Sequence, residues 1–252
     1  MNLPAPFYLW HDQIAIDLPA AKVVFTTRRG GSSEGAYESL NLGRLTDDRP
    51  ECVVRNRQFV QALVGSRLGY IRQVHGTRVR RLATIPDAPS DDPSVHTDFP
   101  EADGQATALG GVAPMVLVAD CLPLAVATTA GVGMLHCGWR GLAGGIIAEG
   151  VRAVRELGGD GPVVAAIGPG AGPCCYEVGE EVHAAFSELG PRVRDGRNLD
   201  LRGIARVQLE RLGVGQIHDV ALCTICAERS LFFSHRRDNG MTGRQAGIAW
   251  LS

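Results

Sequence analysis

Residues 116–145 read VLVADCLPLAVATTAGVGMLHCGWRGLAGG, and the fold turns on how they are parsed. Val116–Ala127 is a mostly apolar run interrupted by Asp120 and Cys121, and Val132–His136 is a second apolar run. Thr128–Gly131 between them is a short turn signal, so the pair reads as a β-hairpin. A two- or four-residue loop centred on Thr129–Ala130 sets Cys121 opposite Gly138 and brings Leu124 or Pro123 beside His136. Side chains two apart share a face, so Cys121 and His136 then become diagonal neighbours. A three-residue loop puts them on opposite faces instead. Cys137–Gly141 leads from the hairpin through glycines into a helix-like stretch, Leu142–Leu157, whose first N–H groups can attract an anion.

Around this hairpin lies a chain of 252 residues, 45% hydrophobic and 21% charged, as expected of a globular protein with a sizeable core. A formal net charge of -2 supplies no basic field for nucleic acid or anionic membrane. The N-terminal residues lack a basic segment followed by a long apolar one, and no uncharged apolar run reaches membrane-spanning length. Seven cysteines, an odd number, with no export signal point to free thiols in a reducing cytoplasm.

In order along the chain, Lys22–Thr27 reads as a strand running into Arg28–Ser33, a basic glycine-rich loop. Its amides and Arg28 or Arg29 suit a phosphate, or the loop is a surface turn with solvated arginines. Tyr37–Gly43 is a polar segment around Asn41. Pro50–Val64 has helical spacing, with Val53, Val54, Phe59, Val60 and Leu63 on one side. Leu68–His75 and Thr77–Thr84 read as strands joined at Gly76. Pro86–Pro100 is a loop carrying a solvated His96, and Ala102–Thr107 is a turn into the hairpin. Pro162–Gly168 is a strand followed by a rigid loop, Gly168–Tyr176. Val178–Leu189 and Leu201–Leu212 read as helices, and Ile217–Leu222 and Arg244–Leu251 as strands. The alternation indicates an α/β protein.

His75, Cys121 and His136 together offer two imidazoles and a thiolate. That set suits zinc with a fourth position left for water or substrate. Without metal the same trio suits a cysteine nucleophile with a histidine base, or the three are unrelated. Cys223–Cys226 is a C-x-x-C after a strand, but a structural zinc needs a second pair, and the adjacent Cys174–Cys175 is a poor one. A thioredoxin-like redox pair is the other reading.

The motifs TTRRGG (26–31), SLNLG (39–43), QVHG (73–76), ADG (102–104), ADCLPL (119–124) and HCGWRG (136–141) occur in this order. IGPGAGPCCYEVG (167–179), LDL (199–201) and CTICAERSLFFSHRRDNGMTGRQAGIAWL (223–251) complete the series. This ordered set resembles the YfiH-like family, variously named multicopper polyphenol oxidoreductase (laccase), peptidoglycan editing factor and purine nucleoside phosphorylase. The resemblance implies one domain over residues 1–252, α+β, with mixed sheets packed face to face and helices on both outer faces. It implies a zinc site of His75, Cys121 and His136, with copper as the alternative metal, and places the family's arginine at Arg28 and its asparagine at Asn41. It also implies a homodimer. Cys137 stands where many relatives carry alanine.

The implied activity is phosphorolysis of adenosine, inosine or 5′-methylthioadenosine, with adenosine deamination. Catalysis falls to Cys121, His75, His136 and Arg28, and purine nucleoside and phosphate are the ligands, Arg28 and Asn41 binding substrate. The Gly30–Gly31 amides and Arg28 would hold phosphate, while the trio assists departure of the base. Competing readings are a Cys121-dependent hydrolase editing peptidoglycan precursors, a copper-dependent polyphenol oxidase, and a metal- or nucleoside-binding regulator. Seven histidines are few for a multi-copper oxidase.

Overall fold

A computed structural model of the chain describes residues 2–87 and 99–252. Its larger sheets use β1 (Tyr8–Trp10), β2 (Gln13–Leu18), β3 (Ala21–Phe25), β4 (Val79–Leu82), β5 (Gly104–Thr107) and β6 (Met115–Val118). They continue with β7 (Leu122–Ala127), β8 (Val132–Cys137), β9 (Val164–Ile167), β10 (Gln216–Asp219) and β11 (Gln245–Leu251). A five-stranded antiparallel sheet has the order β1-β2-β3-β11-β6. A six-stranded mixed sheet has the order β10-β9-β7-β8-β5-β4, with parallel pairs at both ends.

The two sheets face each other. Ile14, Ile16, Val23, Phe25, Val116 and Ala249 from the first pack on Ala125, Ala127, Val132, Met134 and Ala166 from the second. The opposite face of the six-stranded sheet carries Leu122, Leu124, Val126 and Leu135, covered by α3 (Ile146–Gly158) and α5 (Leu201–Arg211). The outer face of the five-stranded sheet carries Ala15, Val24 and Ile248, packed with Val60 and Val64 of α1 (Pro50–Val64). The layers are therefore α/β/β/α, as the resemblance implied. Burial on both faces explains why β7 and β8 read as unbroken apolar runs. Small residues face the partner sheet, and the sheets touch so closely that a Cβ at Gly247 would lie 2.5 Å from Pro123 Cβ.

The hairpin register is the one expected from a four-residue loop: Ala127 pairs with Val132 and Pro123 with His136. The first apolar run, however, is two strands in two sheets. β6 ends at Val118, the backbone turns through Asp120 at φ 92°, and β7 begins at Leu122. The polar interruption at Asp120–Cys121 marks this crossing.

Other expectations are corrected. Leu68–His75 is largely irregular, with only Arg67–Leu68 in a short strand, because residues 74–76 wrap around a carboxylate. Ala102–Thr107 holds β5 rather than a turn. Leu142–Leu157 is two helices, α2 (Trp139–Gly144) and α3, broken at Gly145 in the left-handed region. Val178–Leu189 contains a short helix, α4 (Glu180–Ala184), and the start of a kinked 3-10 segment, Ser187–Val193. On α1, Phe59 is 42% exposed. The buried face instead includes Asn56 and Arg57, which donate to the Asn41 and Leu42 carbonyls. His96 lies outside the described residues.

Candidate active site at the sheet crossing

Cys121 lies between β6 and β7, and His136 lies one residue before the end of β8. The register makes them diagonal neighbours on the face between the sheets. His75 comes from the loop before β4, and its backbone has φ 59°. The ligand atoms of His75, Cys121 and His136 all lie within 4.8 Å of one another, and the two imidazole rings meet edge to face at 4.9 Å between centroids. Sequence distance left His75 unplaced; the fold brings it in.

What brings it in is Asp103, a fully buried residue just before β5. Its Oδ1 accepts the His75 N–H at 2.9 Å, and its Oδ2 accepts the N–H groups of Gly76 at 2.6 Å and Val74 at 3.2 Å. Its Oδ1 also lies 2.8 Å from His136 Nδ1. An ionised carboxylate only accepts, so Nδ1 carries a proton and Nε2 faces Cys121. The His136 amide donates to the Asp103 carbonyl at 2.7 Å, tying β8 to the same point. Asp103 lies in the ADG stretch, and its role is visible only in the structure. The available signal was an aspartate directly before a glycine at the start of a strand.

The electrostatics follow from this packing. Burial pushes the Cys121 thiol up, but the His136 and His75 imidazoles outweigh it and bring the pKa down to about 6. Burial likewise works against a charged His136, while the Cys121 thiolate and Asp103 raise it to about 9. The metal-free site is thus a thiolate–imidazolium pair. Cys137, whose side chain points to the helical face, is pushed well up by burial and is inert. Gly138 is the floor of the site: a Cβ there would lie 2.9 Å from Cys121 Sγ and 3.3 Å from His75 Cδ2.

Asp120 fixes the crossing. It accepts the Thr224 hydroxyl and the Arg236 N–H, each at 2.7 Å. Arg244 lies within electrostatic reach of Asp120 and Cys121. Burial, with Cys121 next, raises the Tyr176 hydroxyl to about 12. None of Asp120, Tyr176 and Arg244 was singled out from sequence.

Arg28 and Asn41 are held by other contacts. The half-buried Arg28 guanidinium lies 4.5 Å over the Phe233 ring and donates to the Glu38 and Arg229 carbonyls. The amides of Arg29, Gly31, Ser32 and Ser33 donate to Thr27, Ser39 and Asn56, so this loop is closed by its own hydrogen bonds. Asn41 is fully buried, bonded to Thr46 and Asp48 through Nδ2 and to the Gly43 and Arg244 amides through Oδ1. Its side-chain amide is thus engaged with the loop around it.

The sequence pattern of the family described as multi-copper polyphenol oxidoreductase laccase matches residues 22–252. The chain is 39% identical over 239 residues to purine nucleoside phosphorylase SCO2081 of Streptomyces coelicolor, covering 90% of this chain and 94% of that one. It is 36% identical over 239 residues to purine nucleoside phosphorylase YfiH of Escherichia coli, covering 90% and 92%. The crystal structure of YlmD from Geobacillus stearothermophilus superposes with a TM-score of 0.89 at 32% identity, over 98% of this chain and 99% of that one. Matched over residues 22–252 and at 36–39% identity to these relatives, the chain belongs to the YfiH-like family described as multi-copper polyphenol oxidoreductase laccase.

Proposed function

We propose that this protein is a zinc-dependent purine nucleoside phosphorylase acting on adenosine, inosine and 5′-methylthioadenosine, with adenosine deaminase activity at the same site. The observation that carries the reading is the convergence of His75, Cys121 and His136 within 4.8 Å around a buried carboxylate. It is joined by the name its relatives bear over about nine-tenths of the chain.

The residues fit zinc. Two imidazoles and a thiolate of depressed pKa are its preferred donors, and Asp103 orients one imidazole as an outer partner of a metal ligand does. When bound, the ion would supply a Lewis acid at an open position beside the purine. Asp103 holds the proton at His136 Nδ1 and keeps Nε2 free to bind. Phosphorolysis forms a bond from a phosphate oxygen to the ribose anomeric carbon and sends the glycosidic electron pair to the base. Arg28 supplies positive charge for the phosphate. Burial and the nearby Arg237 lower its pKa, an unfavourable placement that a dianion relieves. Asn41 acts indirectly, by fixing the loop that follows Arg28.

A second reading has its own observation. Cys121, His136 and Asp103 form a thiolate, an imidazole and an orienting carboxylate, the arrangement of a cysteine hydrolase. The copper oxidase reading gains less. Among the described residues only one cluster combines histidine with cysteine, and multi-electron oxygen chemistry takes several coppers.

Product analysis separates these. Adenosine incubated with the zinc-loaded protein and phosphate should give adenine and ribose 1-phosphate, and without phosphate inosine alone. Arg28→Ala should raise the KM for phosphate while leaving deamination intact. Activity with unchanged phosphate dependence in Arg28→Ala would remove its assigned role. No product from any nucleoside would favour the hydrolase.

A further inference from the structure

A second group of metal-ligating side chains lies apart from the His75–Cys121–His136 trio. Cys174, Cys175, Cys223 and Cys226 bring their sulfurs within 4.8 Å of one another. From sequence the adjacent Cys174–Cys175 was a poor complement to the C-x-x-C, since neighbours on an extended chain point apart. The loop is not extended. The amides of Cys175 and Tyr176 both donate to the Gly172 carbonyl at 3.0 Å, closing a tight turn. Gly170 bridges to Cys223, and the Thr224 amide donates to the Gly170 carbonyl at 3.1 Å, so the two loops run side by side.

The geometry suits a metal. Cys174 Sγ and Cys226 Sγ are 3.6 Å apart, far beyond the ~2.05 Å of a disulfide. Zinc–sulfur bonds of ~2.3 Å in a tetrahedron give sulfur edges of about 3.8 Å. The Gly172 N–H donates to Cys223 Sγ at 3.3 Å, the kind of outer support that favours a thiolate ligand. A Cβ at Gly172 would lie 2.9 Å from Arg202 Nη1 and 3.3 Å from Cys174 Sγ. That places a buried guanidinium beside the cluster, where it offsets thiolate charge.

We propose that Cys174, Cys175, Cys223 and Cys226 form a second metal centre, a structural zinc site of four thiolates. Its place in the fold gives it a consequence. Thr224, between two of the ligands, donates to Asp120 Oδ1, and the Ala171 amide donates to the Asp120 carbonyl, each at 2.7 Å. The ion staples these two loops together and so holds the Asp120 turn that presents Cys121.

Metal content tests this. Protein purified under reductant, loaded with zinc and freed of excess should hold about two zinc ions per chain. Cys121→Ala should hold about one, Cys174→Ser/Cys226→Ser about one, and the triple variant none. Cobalt loading gives a spectroscopic check, since four thiolates produce intense near-ultraviolet charge-transfer bands. These should survive in Cys121→Ala and be lost in Cys174→Ser/Cys226→Ser. One zinc in wild type that disappears in Cys121→Ala would overturn the second centre. One zinc that persists in Cys121→Ala but is lost in the cysteine pair variant would uphold it and count against metal at the first site.

Discussion

Asp103 shows how one side chain organises chemistry it does not itself perform. It accepts from three consecutive backbone amides and meets His136 Nδ1, so it sets both the loop that carries His75 and the tautomer of His136. Asp103→Asn keeps the shape but replaces one acceptor oxygen with a donor. Zinc affinity is expected to fall about 10–100-fold, measured by chelator competition, and unchanged affinity would mean that the carboxylate does not support the ligands. Cys121 gives a second residue-scale test. Its thiol is brought to about 6, below the ordinary value, so the reactive thiolate is present above that pH and lost below it. In metal-stripped protein, alkylation of Cys121 by iodoacetamide should rise between pH 5 and 7 and level off, as followed by peptide mass mapping. Cys137, sealed in the core, should stay unmodified in the folded protein. A Cys121 rate still climbing at pH 9 would show that the imidazoles do not stabilise the thiolate.

At the scale of elements, the site exists because a strand changes sheets. β6 belongs to one sheet and β7 to the other, and the turn between them exposes Cys121 at the end of the layer where the sheets meet. Gly138 then lets the β8–α2 junction pass directly under the thiol. Gly138→Ala should lower zinc affinity and activity, because its Cβ would press on Cys121 Sγ and His75 Cδ2. Its φ of -80° is open to alanine, so the effect should be steric and local. Gly247→Ala is the contrasting case. Its Cβ would collide with Pro123 and Met134 between the sheets, and denaturant unfolding should report a loss of about 1–3 kcal/mol.

Much of this level was legible in the sequence. The turn signal identified the hairpin and left its loop length open, and the four-residue form that occurs is one of those that bring Cys121 to His136. The parts that were not legible depend on long-range packing. The Asp120–Cys121 interruption of Val116–Ala127 is the one local mark of the crossing, and it does not say that the two apolar halves belong to different sheets. The residues before Gly76 look strand-like because Leu68, Tyr70 and Val74 alternate, yet Asp103 captures their backbone amides. Cys174 and Cys175 read as a poor pair because their turn is set by Gly172 and by the loop across from it. Asn41 was noted by motif alone, and the hydrogen bonds by which it braces its loop reach Arg244, far along the chain.

Across the whole molecule, four layers share three continuous cores, and the sheet crossing joins the two halves through β6, β7 and β11. This interlocking should make unfolding a single transition, with fluorescence and far-ultraviolet circular dichroism coinciding. Two separated transitions would instead divide the chain into independent units. None of the helices among the described residues is long and apolar enough to cross a membrane. With a net charge of -2, the protein has no global field for an anion, so the proposed phosphate role of Arg28 rests on local charge.

The central claim is that the centre of His75, Cys121 and His136 carries phosphate-dependent cleavage of purine nucleosides. It is tested most directly by stripping the protein of metal and restoring zinc stepwise, while release of adenine from adenosine is followed in phosphate buffer. The stripped protein should be inactive, activity should return with zinc in wild type, and Cys121→Ala should remain inactive throughout. Full phosphorolysis by the stripped protein, or recovery in Cys121→Ala equal to wild type, would contradict the assignment of the reaction to this centre.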